Sequence, residues 1–122
     1  MPATIVIDRG KRVVYSAFHG EVSEREFLEH GPRIEAQPSF DTNYAEIVDL
    51  SGVTNVEVSL ESLKALAGRR SIFSSSAKHV VVAPPGSIAK LARIFQSLAA
   101  ETRPNFAVVR TPAEAYECLS RD

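Results

Sequence analysis

Apolar residues in this chain recur either in short unbroken or alternating runs or at helical spacing, and the two patterns follow one another along its length. Thr4 to Asp8 and Val13 to Phe18 are β-branched or aromatic runs flanking Asp8-Arg9-Gly10-Lys11. They predict an opening β-hairpin, with Gly10 supplying the positive φ of its turn. After His19-Gly20-Glu21-Val22, the run Ser23-Glu24-Arg25-Glu26 has the form of a capping box. A helix is expected from about Glu24 to about Ala36, with Pro32 placed to kink or divide it. Gln37 to Asn43 reads as a loop.

Tyr44 to Leu50 supplies a third strand, and Ser59 caps a helix with Leu60, Leu63, Leu66 and Ala67 at helical spacing as far as Gly68. A polar connection over residues 69–77 leads to His79-Val80-Val81-Val82-Ala83, an unbroken apolar run of the kind covered on both faces. It should be a central strand. Pro84-Pro85-Gly86 ends it, and Ser87 is expected to cap a helix reaching Glu101, whose Ile88, Leu91, Ala92, Phe95, Leu98 and Ala99 form one stripe. Asn105 to Arg110 is a last strand, and Thr111-Pro112-Ala113-Glu114 opens a last helix with a cap, a first-position proline and a box glutamate. The order implies one α/β domain over residues 1–122. Its mixed sheet has about five strands and about four helices, antiparallel at the first hairpin and parallel thereafter.

Composition narrows the setting. With 122 residues, 44% hydrophobic and 24% charged, the chain can bury one core without metals or disulfides. Its one cysteine, Cys118, and a start without a basic region or long apolar run lead to a cytoplasmic expectation. No run is long enough to span a bilayer. A net charge of -1 argues against a nucleic-acid binder. The charges are uneven, however: residues 1–61 hold five Lys/Arg and eleven Asp/Glu, residues 62–122 nine and four. Either the halves interleave in space and the polarity disappears, or an acidic and a basic face suit a charged partner or a homodimer.

Parallel strand ends and the helix starts after them gather on one edge of an open sheet, where ligands usually sit. That edge should collect Asp49, Ser51, Ser59, Pro85, Gly86, Ser87, Arg110 and Thr111. The Gly86-Ser87 turn offers free amides to an anion, as every helix start does. Lys90 and Arg93 flank the apolar stripe of their helix, where they can meet anionic lipid or form the solvated rim of a core helix. No catalytic residue, metal set or cofactor is assigned. His19, His30 and His79 lack metal-ligand spacing, no nucleotide-binding or serine-elbow motif occurs, and Cys118 reads as packing. A serine–histidine–acid site drawn from distant segments stays open.

The strand ending in Asp49-Leu50-Ser51, followed by a loop and a serine at a helix start, resembles STAS domains, as does the order of elements. Gly20 with the Ser23 box, Leu91-Ala92-Arg93-Ile94-Phe95 and the end from Phe106 to Ala115 and Leu119 are similar to the SpoIIAA-like branch. That group also resembles Sec14-type lipid-binding domains. The resemblance implies a non-enzymatic module, a protein partner and a role in bacterial signalling, or else a small apolar or lipid-like ligand held between sheet and helices. Laid on the antagonist pattern Asp-Ser-Ser-Gly, Glu57-Val58-Ser59-Leu60 puts Ser59 at the phospho-acceptor, with the other three positions different. A plain N-cap is the other reading of Ser59. Asp49, in turn, is expected to hold the following turn by an Asx bond.

Overall fold

Thr4–Asp8 (β1) and Val13–Val22 (β2) pair antiparallel, from Thr4 opposite Ala17 to Asp8 opposite Val13. The positive φ of the connection belongs to Arg12, at 59°, and not to Gly10. Asp8 Oδ1 accepts from the Lys11 amide at 2.9 Å, which closes the first part of the loop and leaves its last residue to make the left-handed step. The computed structural model describes residues 3–121. Met1, Pro2 and Asp122 lie outside the described residues, and with them part of the start segment considered above.

Helix α1 (Glu24–Glu35) begins at the expected box: Ser23 Oγ accepts from the Glu26 amide at 3.2 Å and Glu26 reaches back to the Ser23 amide. Pro32 does not divide it, lying so near the end that one intrahelical bond at most is lost. Strand β3 (Ala45–Val56), helix α2 (Leu60–Gly68), strand β4 (His79–Val82), helix α3 (Ser87–Leu98), strand β5 (Phe106–Val109) and helix α4 (Pro112–Ser120) follow. Ser87 does not cap α3. Gly86 holds the N-cap position without a side-chain bond, so Ser87 is the first helical residue. At α4, Thr111 Oγ1 accepts from the Glu114 amide as expected, while Glu114 accepts from Arg110.

The sheet order is β1-β2-β3-β4-β5, with every pair after the first parallel. Successive right-handed crossovers that step in one direction put their helices on one face, so α1, α2 and α3 share a face and α4 lies alone on the other. Packing follows that division. Val81 and Ala83 meet Ala89 and Ala92 of α3, whereas Ile47, Val80 and Val82 meet Ala115 of α4. β4 is buried on both faces, as its unbroken apolar run requires. Cys118 packs half-buried against the α4-side core.

β2 and β3 run well past the place where the sequence suggested their ends. From the pair Ala17–Asp49 to the pair Val22–Val56, β2 advances five residues and β3 seven, so β3 carries two bulges. Gly20, with φ 66°, takes a conformation open to glycine at this irregular stretch. At Gly52 a Cβ would lie 2.8 Å from His19 Nδ1, so the His19 ring occupies space that only glycine leaves. Because β4 ends opposite Asp49, the distal parts of β2 and β3 form a two-stranded ribbon beyond the sheet. The sequential order keeps β1 to β3 on one side of β4 and β5, but α4 of the basic half packs back over Val13, Tyr15 and Ile47 of the acidic half, so the two halves interleave on that face.

Candidate ligand site between the sheet and three helices

Alternation along the strands gives the face under α1–α3 the residues Val14, Ser16 and Phe18 of β2, Glu46, Val48 and Leu50 of β3, His79 and Val81 of β4, and Phe106 of β5. Between this face and the helices lies a cavity of about 290 Å3, bordered also by the segment around Phe73. Its walls are mainly apolar, with Phe18, Phe27, Val48, Leu63, Leu91 and Phe95 among them. Size and lining are those of the lower end of small-molecule pockets, ~300 to 1,000 Å3.

Eight polar side chains interrupt that lining: Glu35, Arg69, Arg70 and Ser71 at its border, and Glu46, His79, Arg103 and His30 more deeply placed. His79, 3% exposed, lies 2.8 Å through Nδ1 from Glu46 Oε1, with its ring between Phe73 and Phe106. Burial pushes the Glu46 carboxyl up, but the His79 hydrogen bond and the charges of His79, His30 and Arg103 outweigh it, so Glu46 is held below its ordinary value. Glu46 is therefore a carboxylate in the wall of an apolar cavity. Arg103 is half-buried; it bonds to Thr102 Oγ1 at 3.0 Å and to the Arg69 carbonyl at 3.3 Å, and its guanidinium lies 5.4 Å from the Phe95 ring centre.

His30 is different. It is 8% exposed, tilted against Phe18 at 4.7 Å, and neither ring nitrogen has a hydrogen-bond partner among the described residues. Burial pushes its pKa down, opposed by Glu46 and aided by Arg33, and the net direction is down. A neutral imidazole has one donor and one acceptor, and leaving both buried and unpaired costs about 1 to 3 kcal/mol for each group.

The residues singled out from the sequence are not gathered into this site. Asp49 and Ser51 lie together on the opposite face at the first bulge of β3. Asp49 Oδ1 accepts from the Ser51 amide at 2.9 Å and from Ser51 Oγ at 2.6 Å, and Oδ2 accepts from the Tyr15 hydroxyl. Burial pushes Asp49 up, and these bonds more than offset it. Burial and then Asp49 push the Tyr15 hydroxyl up in turn, while its ring stacks parallel to Tyr116. The Asx bond occurs as expected, but within a bulged strand and not in a turn.

Ser59 is carried away by the ribbon: Val56 lies seven residues past Asp49, roughly 20 Å at the rise of a strand. There Ser59 Oγ accepts from the Ser62 amide at 3.1 Å, and both its amide and hydroxyl donate to Glu24 at the start of α1. Gly86, Ser87 and Thr111 are exposed at the starts of α3 and α4, and Arg93 is exposed on α3. Glu46, His30, His79 and Arg103 were not singled out as site residues. The available signal was an acid at the start of the run Ala45 to Leu50, three residues before Asp49, and a histidine adjoining Val80. Among the described residues no cluster of three or more His, Cys, Asp or Glu is placed to hold a metal ion.

No protein-family model matches the chain, and no curated protein matches it. Among solved structures it is similar to an uncharacterized protein of the DUF3478 family with a SpoIIAA-like fold from Shewanella loihica PV-4. The TM-score is 0.61 at 14% identity, over 95% of this chain and 92% of that one. With the strand order, the opening hairpin and the single helix on the second face, that likeness identifies the architecture of this chain as a STAS/SpoIIAA-like fold.

Proposed function

We propose that this chain is a non-enzymatic STAS-like binding module that holds a small, largely apolar molecule between the sheet and α1–α3. One observation carries the reading: a cavity of about 290 Å3 between the sheet and the helices whose walls are mainly apolar. A dry cavity of ~150 Å3 takes a benzene-sized molecule, so this one takes on the order of a dozen non-hydrogen atoms. The buried acid and histidines do not argue for catalysis. Glu46 is already engaged by His79, and no serine or cysteine lies among the polar groups of its cavity wall apart from Ser71.

The test is thermal melting with n-butylbenzene, a probe of the right size. A ligand that binds only the folded state at ten times its Kd adds ~1.4 kcal/mol, which is a rise of several degrees for a domain of this size. An unchanged melting temperature up to the solubility limit of the probe contradicts the proposal.

A second reading, a regulatory protein-interaction module, is supported by a different observation. Ile94 and Leu98 are exposed one turn apart on α3, at 45% and 37%, beside exposed Lys90 and Arg93. Cross-linking through a cysteine placed at Arg93 distinguishes this reading, since a partner seated on α3 is captured there while a cavity ligand is not.

A further inference from the structure

The charged side chains bordering the cavity lie at one end of it. Glu46 stands at the start of β3, Glu35 ends α1, Arg69 follows α2 with Arg70 beside it, and Arg103 comes three residues before β5. A helix that returns between parallel strands ends where the next strand begins, so these residues meet at the strand-start end of the sheet. The other end is walled by Val22, Phe27, Leu50, Val56, Leu63 and Ile88, whose side chains carry no polar group. The cavity is therefore polarised along the strands.

Its charged end has an excess of positive charge. Arg69, Arg70 and Arg103 stand against two glutamates, and Glu46 is already engaged by His79 at 2.8 Å. Among the described residues none of the three guanidinium groups has a carboxylate within ion-pair distance. Arg103 is the least exposed of them. Its Nη1 donates to Thr102 Oγ1 and to the carbonyls of Ala67 and Arg69, while Nε and Nη2 have no partner among the described residues. Burial pushes the Arg103 guanidinium below its ordinary value, and Glu46 only partly opposes this. A partly desolvated cation with donors to spare favours an anion beside it.

Resting on the ligand reading just given, we infer the chemical class of the ligand: a monocarboxylate with an aryl or alkyl body, its carboxylate held by Arg103 beside Arg69 and Arg70, its body in the apolar end. One negative charge matches the excess of one arginine, whereas a dianionic head exceeds it. The guanidinium fork meets a planar carboxylate through two parallel hydrogen bonds.

The experiment compares 4-butylbenzoate, 4-butylphenol and 4-butylbenzylamine at about pH 7.5, where they are anionic, neutral and cationic. Binding is read by melting temperature and Kd. We expect the benzoate to bind more tightly than the amine. The ratio of the butylphenol Kd to the butylbenzoate Kd should fall roughly tenfold in Arg103→Gln, a comparison in which the difference in hydrophobic transfer between the probes cancels. Should Arg103→Gln fail to fold, the fall of the same ratio in a protein carrying Arg69→Gln and Arg70→Gln, both at exposed positions, decides in its place. A ratio unchanged in the deciding variant, or an amine that binds more tightly than the benzoate, overturns the ligand class and leaves the cavity reading intact. If none of the three probes raises the melting temperature, the cavity reading falls, and this inference with it.

Discussion

Single buried groups in this protein are of two kinds, those fully engaged and those left without partners, and the difference gives direct predictions. Asp49 receives hydrogen bonds on both carboxylate oxygens and is a fixed strut between β2 and β3. Ser16 is fully buried and its hydroxyl has no partner among the described residues, and it does not border the cavity. Ser16→Ala should therefore raise stability by about 1 kcal/mol, read as a higher urea midpoint. A lower midpoint would show that the hydroxyl is engaged after all. His30, with its pKa pushed down by burial, binds protons less readily in the folded than in the unfolded chain, whose histidines titrate near ~6.5. Its contribution to stability is present above that pH and is lost as the pH falls through its folded value. Glu46 and Asp49, both held down, add a second loss below about pH 4. The urea midpoint should accordingly begin to fall near pH 6.5 in the wild-type protein. In His30→Phe the fall should be shallower until the carboxylates titrate, and an unchanged slope would contradict the burial of an uncharged His30.

At the scale of elements, the pieces with strong local signals were legible in the sequence. The Ser23 box, the Ser59 and Thr111 caps and the apolar run of β4 each depend on residues within one turn or one strand, and each stands where expected. β3 was legible only as far as Leu50. Two bulges break the period of two that marks a strand, and Ser51-Gly52 carries the composition of a turn, so only pairing with distant β2 reveals the continuation. The same extension brings Ser59 to Glu24, a contact between residues thirty-five positions apart. It changes what substitutions there should do. Ser59→Ala should cost about 1 kcal/mol through loss of the cap. Ser59→Asp keeps a capping group but sets a second carboxylate against Glu24, so it should melt below Ser59→Ala at low salt and recover as salt screens the pair. A Ser59→Asp protein as stable as wild type at low salt would remove Glu24 from this account.

For the whole molecule, the fold class and the order of elements could be read from the sequence, but the ligand site could not. Sequential strand order, which no local pattern encodes, gathers three helices on one face and brings Glu46, His79, His30 and Arg103 to one cavity from four separate segments. The residues singled out from the sequence follow a general rule about strand ends, and the rule places them on a rim that the β2–β3 ribbon takes apart. Glu46 and His79 are adjacent only because β3 and β4 pair in that register. The most direct measurement of the central claim is methyl NMR with 4-butylphenol, following the resonances of Leu63, Ile88 and Leu91 in the cavity wall against Val6 and Val13 on other surfaces of the sheet. Shifts that saturate together at the three cavity residues and leave Val6 and Val13 unmoved are the result predicted. Saturating probe that leaves the cavity methyls in place, or moves only methyls outside it, would contradict the claim that this cavity is where the protein binds.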